Sequence, residues 1–521
     1  MTTYGDHLTA EQLLIMDDAI NAFLDSYAQH RGSLLQRTLI FFPGGMGSEL
    51  MRANRAYNPG LPTGSYGFET VWVDLAQVIF DESALLLQMN GEQDSNDRFI
   101  VAHGPLSNCA LHPYDNLAVW CTANRLDLLM VGWDFRRDAQ WNVGFFLNVL
   151  VPDVKRRAAA RGWPEDPFQG ATIVGHSFGG MVAKWILNNH DHPFCAGLRL
   201  AITVATPFYG GTGQTERLFT SEPALGPFYN LDDITKTIAT LPGGYSLFFL
   251  DGPTYDTYRG QLLADPDCPL DRYPSWDRTD ATKRVDPYVF PANNPANPNL
   301  CRYPVRGPHP GNDWTWFGDY LARGLCDYAA VASPLDRSVR GKFHNIRAIQ
   351  ISGRTDAPLT KIMQRWGWYD VTQNRAPQAS GVIETFGGAG DGVIPAWSAR
   401  LVTQDPANIH TIRGEMTGPT PLEHMALMNH PVVRAELLNL IVGDQAVQIV
   451  VPPAPPPASL EEFNEVRGHI EGLARSKTFR LAKEVAQEYL NGMSPARQQA
   501  LARRWFIELP KGAPPTYERP R

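Results

Sequence analysis

Residues 171–180 read ATIVGHSFGG, a short run of small and β-branched residues that breaks at Gly175-His176-Ser177-Phe178-Gly179 and continues into a helical pattern. A serine held at a tight strand-to-helix turn needs small neighbours on both sides, because the backbone folds back on itself there, and Gly175 and Gly179 supply them. Met181, Val182, Trp185 and Ile186 then recur at helical spacing, which gives the following helix one apolar face for a sheet. The N-terminus of that helix points at Ser177, where its partial positive charge favours an anion. The pattern G-x-S-x-G is common by chance; the strand before it and the helix after it give it meaning as a nucleophile turn.

Outward from this turn the chain repeats strand and helix. Residues 38–42, TLIFF, form a short apolar run that ends in Pro43-Gly44-Gly45-Met46-Gly47-Ser48. A glycine-rich loop after a strand can cradle phosphate or present N–H groups to an oxyanion; the lysine of a phosphate loop is missing, which favours the second use. Residues 126–131 predict a second strand, leading to Gly132-Trp133-Asp134-Phe135-Arg136-Arg137, and 145–160 a helix. Leu200–Val204 is the strand after the serine turn. Strand and helix in alternation are the rhythm of a parallel sheet. It resumes at 347–352, with further extended segments at 381–386 and 409–412 and a closing helix at 431–441. Thr9 caps an expected N-terminal helix over 10–29. Residues 54–123 read as irregular, without a clear period.

With 521 residues, 43% of them hydrophobic, the chain can bury a large core, and a net charge of −8 with no long basic run argues against nucleic acid as a ligand. No basic-then-apolar leader opens the sequence and no run approaches 18 apolar residues, so the expectation is a soluble, cytoplasmic protein. Six scattered cysteines without a C-x-x-C pair suggest neither zinc nor a disulfide framework, and no cofactor motif is present.

A serine hydroxyl needs a base, and the base needs a carboxylate to hold its tautomer. In hydrolases built around such a serine turn the order along the chain is serine, acid, histidine. Downstream, Gly387-Gly388-Ala389-Gly390-Asp391-Gly392 sets one carboxylate in a glycine-dense turn, and Glu423-His424-Met425 sets a histidine between the last strand and the last helix. Asp391 and His424 are therefore the candidate acid and base, weighed against an ordinary turn aspartate and a capping or core histidine. His176, beside the serine, points away from it on the turn.

These motifs, in their order over residues 38–441, resemble the family of lecithin:cholesterol acyltransferase, lysosomal phospholipase A2 and phospholipid:diacylglycerol acyltransferase. The family's Pro-Gly-x-x-Gly-x-x-Leu loop is similar to Pro43 through Leu50, a tryptophan segment to Val71-Trp72-Val73-Asp74-Leu75, and its Tyr-Asp-Trp-Arg segment to Trp133-Asp134-Phe135-Arg136. Gly-His-Ser-x-Gly is identical. Pro207 to Gly211, residues 241–250, Asp391 and His424 match its remaining motifs. Residues 54–80 hold no cysteine, unlike the lid of the family's secreted members, and 265–313 have no counterpart.

The resemblance implies an α/β-hydrolase with a mostly parallel sheet, a large cap insertion and a helical C-terminal extension. It implies Ser177 as nucleophile, Asp391 as acid and His424 as base, with the backbone N–H groups of Gly45 and Phe178 as oxyanion hole and Asp134 and Arg136 bracing the oxyanion loop. The expected organisation is an N-terminal extension (1–35), a core in two parts (36–208 and 346–445), a cap (209–345), a proline-rich linker (446–458) and a helical tail (459–521). The expected substrate is a lipid or other acyl ester, the alternatives being a polar ester or thioester, or a non-catalytic interaction protein. Phe208, Tyr209, Phe228, Tyr229, Tyr245, Phe248 and Phe249 are expected to line an acyl pocket. In the tail, Ser459 with Glu462 predicts a capping box, and an apolar stripe through Val466 suits a membrane surface or docking back on the core; the oligomeric state is left open.

Overall fold

The apolar runs find one another in a six-stranded, wholly parallel sheet. The strands are β1 (Thr38–Phe42), β5 (Asp127–Met130), β6 (Thr172–His176), β7 (Leu200–Val204), β8 (Phe343–Ile351) and β11 (Ile409–Glu415). Their spatial order is β11-β8-β7-β6-β1-β5. Every residue of β1, β6 and β7 is buried, as expected when helices cover both faces. Period two assigns the faces: Ile40 and Phe42 join one apolar cluster, Leu39 and Phe41 the other. This is a parallel α/β sheet with helices on both faces.

The computed structural model describes residues 16–32, 37–53, 68–72, 100–105, 113–114, 116–211, 241–247, 327, 330–351, 360–366, 383–415, 422–442, 458–475, 489, 492–494, 497 and 501. Most of the expected cap, the residues around Thr9 and the proline-rich linker lie outside them, as do Phe228, Tyr229, Phe248 and Phe249.

On the first face pack α1 (Asp17–His30), α3 (Ala139–Phe145), α4 (Val151–Ala160) and α5 (Phe178–Asn188); on the second, α2 (Leu117–Ala123) and α7 (Pro431–Val442), with α6 (Pro193–Gly197) a single turn before β7. The helix expected over 145–160 begins earlier, at Ala139, because Asp138 caps it by accepting from Trp141 N at 2.7 Å. It is also not uniform. Residues Phe146–Leu150 widen into a π turn just before Pro152, whose ring and missing N–H disfavour an unbroken α ladder.

Three further features were not legible in the sequence. β2 (Ser48–Ala53), β3 (Phe68–Trp72) and β4 (Ile100–Pro105), the last two within the region 54–123 that reads as irregular, form an antiparallel sheet in the order β3-β2-β4. The extended segment expected at 381–386 is β10 (Ile383–Gly388), paired antiparallel with β9 (Thr360–Trp366) and not with the main sheet. The strand expected at 347–352 starts at Phe343, where pairing with β7 at Ala201 begins.

In the tail, α8 (Leu460–Arg475) is capped by Ser459, whose Oγ accepts from Glu462 N at 3.1 Å, while the Glu462 carboxylate holds Arg497 at 2.8 Å. Ala458, Val466, Met493 and Leu501 are buried in the same apolar cluster as the helices of the first face. Val466 is therefore buried with the core. Among the described residues no helix is long and apolar enough to cross a membrane.

Candidate active site

β1 and β6 lie side by side, and the chain leaves them in opposite directions, β1 toward the β5 edge and β6 toward β7. The crevice beyond their C-terminal ends is where such sheets hold ligands. The glycine-rich loop after β1 and the serine turn after β6 meet there.

Ser177 sits at φ 53°, ψ −126°, a conformation that non-glycine residues rarely adopt, and it caps the start of α5. Two close approaches hold it. A Cβ on Gly175 would lie 2.5 Å from the Gly179 carbonyl oxygen, and one on Gly179 would stand inside 3.0 Å of the Phe42 and Pro43 carbonyls. Ser177 N continues the sheet ladder to Val204 O at 2.8 Å, so the strained residue is fixed from both sides.

His424 arrives from the far end of the sheet on the loop after β11. Its Nε2 is 2.8 Å from Ser177 Oγ, and its Nδ1 is 2.7 Å from Asp391 Oδ2. With Nδ1–H donating to the carboxylate, Nε2 is left to accept the serine proton. Asp391 is nearly inaccessible and its other oxygen, Oδ1, accepts from Val393 N (3.0 Å) and Ile394 N (2.7 Å). His424 N in turn donates to Asp391 O at 3.0 Å. Gln350, on β8, ties the two loops together: its Nε2 donates to both Asp391 O and Leu422 O at 3.0 Å.

The loop after β1 is a tight turn in which Gly47 N donates to Gly44 O (2.9 Å) and Met46 takes φ 61°. Gly45 packs on the Phe178 ring, and the Gly45 and Phe178 amides have no acceptor among the described residues. Trp133 pins the loop by donating from Nε1 to Pro43 O at 2.7 Å, and its N–H donates to Ser48 Oγ at 3.1 Å. This bracing was expected of Asp134 and Arg136. Those two pair with each other (2.6 and 2.9 Å), and Arg136 O accepts from Gly243 N at 3.0 Å, which anchors the turn at 241–247. The Arg136 and Arg137 guanidiniums hold the buried Asp134 carboxyl below the usual range against the opposing effect of burial.

The two sides of the site are linked through His176. Its ring lies 4.9 Å from that of His424, its Nε2 is 3.1 Å from His424 O, and its Nδ1 is 3.1 Å from the Tyr114 hydroxyl. Burial, then the neighbouring His424, push its pKa well below the ordinary value, against the opposing pull of the His424 carbonyl. Tyr114 and Gln350 went unnoticed in the sequence. Tyr114 stands alone in an aperiodic region and Gln350 is one position of a strand, so only their spatial neighbours mark them.

Phe208 and Tyr209 were expected to line a pocket. They are instead fully buried in the core, Phe208 against Phe343 and Tyr209 accepting from Val402 N at 3.0 Å, and Tyr245 is likewise buried. Among the described residues no cluster of His, Cys, Asp and Glu fits a metal ion, and the described cysteines, Cys121 and Cys195, are buried and free.

No family model matches the chain, and no curated protein matches it by sequence. A solved structure that it resembles is described as that of the Tle4–Tli4 complex, at 12% identity and a TM-score of 0.42, over 80% of this chain and 99% of that one.

Proposed function

We propose that this protein is a serine acyl hydrolase or O-acyltransferase, working on ester-linked acyl chains through an acyl-enzyme. The observation that carries the reading is the unbroken line from Ser177 Oγ through His424 Nε2 and Nδ1 to Asp391, set beside two amides that have no described acceptor. In this reading Ser177 Oγ attacks the ester carbonyl as His424 takes its proton, and Asp391 steadies the resulting imidazolium. The oxyanion is received by the Gly45 and Phe178 N–H groups, assisted by the N-terminus of α5, whose first turn carries no acidic residue. His424 then passes the proton to the leaving alcohol. Water or a second alcohol, deprotonated by His424, releases the acyl group and restores Ser177.

The ordered resemblance to lipid acyl hydrolases and acyltransferases favours a lipid ester as substrate. A second reading, an esterase or thioesterase for a smaller or more polar acyl group, is favoured by the burial of Phe208, Tyr209 and Tyr245 in the core rather than along a pocket. Both readings are tested together by mass spectrometry after a fluorophosphonate probe, with the adduct expected on Ser177, and by turnover of a phospholipid panel with and without a long-chain alcohol. Free fatty acid indicates hydrolysis, and an alkyl ester indicates transfer. A probe adduct elsewhere, with full activity in Ser177→Ala, overturns the assignment.

A further inference from the structure

One chain of hydrogen bonds joins the oxyanion loop to the backbone of the base without passing through Ser177. Gly44 N–H donates to the Tyr114 hydroxyl at 2.5 Å, that hydroxyl donates to His176 Nδ1 at 3.1 Å, and His176 Nε2–H donates to the His424 carbonyl at 3.1 Å. Each group has one role that fits both its neighbours. The tyrosine oxygen accepts from a main-chain amide and has its own proton to give. The histidine must then be the neutral Nε2–H tautomer, since a second ring proton would face the hydroxyl proton and the charge would lie against the His424 ring.

The surroundings keep this chain dry and rigid. Tyr114 and His176 are buried, with the Tyr114 ring edge-on to Phe41 at 5.0 Å and to His176 at 5.8 Å. A Cβ at Gly44 would fall 3.1 Å from Ser177 Cβ and 3.2 Å from the Tyr114 oxygen, so the loop, the tyrosine and the serine are in mutual contact. Pro43 O is held separately by Trp133. Tyr114 is thus the group that fixes Gly44, the residue immediately before the proposed oxyanion donor Gly45.

We propose that Tyr114 and His176 are positioning residues, which together set the distance between the oxyanion loop and the His424 base for acyl transfer at Ser177. The proposal rests on the acyl-enzyme reading above. It adds that His176, in the variable place of the G-x-S-x-G motif, acts through His424 and Tyr114 and touches no reacting atom. A neutral His176 is part of the function, because a cation against His424 would oppose formation of the imidazolium. The depressed His176 pKa agrees with this, since burial and His424 both disfavour its charged form.

Steady-state turnover of p-nitrophenyl butyrate, the rate of fluorophosphonate labelling and 15N-histidine spectra test it. Tyr114→Phe leaves the Gly44 amide and His176 Nδ1 without partners, so kcat should fall about 10- to 100-fold with KM within about twofold, and labelling should slow in the same ratio. His176→Gln should show the same split, and the double variant should be scarcely worse than the poorer single one, as expected of two links in one chain. The wild-type spectrum should show His176 as the neutral Nε2–H tautomer below the pH at which an ordinary imidazole takes up its second proton. That measurement needs no folded variant of Tyr114. A wild-type protein that labels at Ser177 while Tyr114→Phe labels equally fast, losses that multiply in the double variant, or an Nδ1–H or charged His176 at pH 6, would each overturn the positioning role and leave the acyl-enzyme reading standing. A wild-type protein that fails to label at Ser177 removes the parent reading, and this one with it.

Discussion

Gly179→Ala should leave the protein folded and strip most of its turnover. The added methyl would come within 3.0 Å of the Phe42 and Pro43 carbonyl oxygens, both main-chain atoms that no rotamer change can move aside. The only relief is retreat of the β1 end and its loop, by on the order of 1 Å, and a misplacement of that size can cost about 10²-fold in rate. Because the displaced segment carries the Gly45 N–H, the loss should approach that of one oxyanion donor, about 10²–10³ in kcat or roughly 3–4 kcal/mol of transition-state stabilisation. Overpacking should also lower folding stability by about 1–3 kcal/mol. The assay is kcat and KM for p-nitrophenyl butyrate beside a thermal melt. Gly468→Ala serves as control, since its Cβ would enter open space on exposed α8, and it should keep kcat while gaining up to about 1 kcal/mol of stability. A Gly179→Ala protein with kcat within about threefold of wild type, or with its loss confined to KM, refutes the reasoning that this glycine fixes the oxyanion geometry.

Four other outcomes follow from the same contacts. Ser177→Ala should lose about 10³-fold or more in turnover together with its fluorophosphonate adduct; an adduct that persists rejects the nucleophile. Asp391→Ala and His424→Ala should share one defect, the double variant being scarcely worse than His424→Ala, and fully multiplicative losses would separate them. The folded-state pKa of His176 lies below its unfolded value, so folding should lose stability as pH falls through about 6.5, where the unfolded ring takes a proton that the folded one refuses; His176→Gln should flatten that slope in denaturant titrations, and an unchanged slope counts against a buried neutral ring. Val466→Asp should lower the melting temperature by burying a charge while liposome binding stays as in wild type; loss of liposome binding without loss of stability would instead favour a membrane role for the tail.

What could be read from the chain alone was whatever depends on neighbours in sequence. The five buried residues of Leu200–Val204, the glycines flanking Ser177 and the glycine-dense turn around Asp391 each carry their cause within a few positions: a strand covered on both faces must be apolar throughout, and a reversed backbone leaves no space for a Cβ. The order serine, acid, histidine is that of hydrolases with this serine turn, so Ser177, Asp391 and His424 could be chosen as candidates before any distance was known. Pairing across long separations could not be read in this way. β2, β3 and β4 have no period that distinguishes them from loops, and β10 looks like any other extended run until β9 takes it away from the main sheet. The aromatic residues Phe208 and Tyr209 suit a pocket lining or a core equally well, and only packing against Phe343 and Val402 decided for the core. The same holds for Tyr114, Trp133 and Gln350. Their hydrogen-bonding atoms meet main-chain groups brought close by the closure of the sheet, and a main-chain carbonyl or amide is present at nearly every position, so no residue pattern announces which one will be the partner. Local spacing thus determined the strands of the main sheet, the turn and the three candidate groups, while the oxyanion loop's anchors and the burial of Val466 were decided by tertiary contacts between segments with no sequence relation to each other.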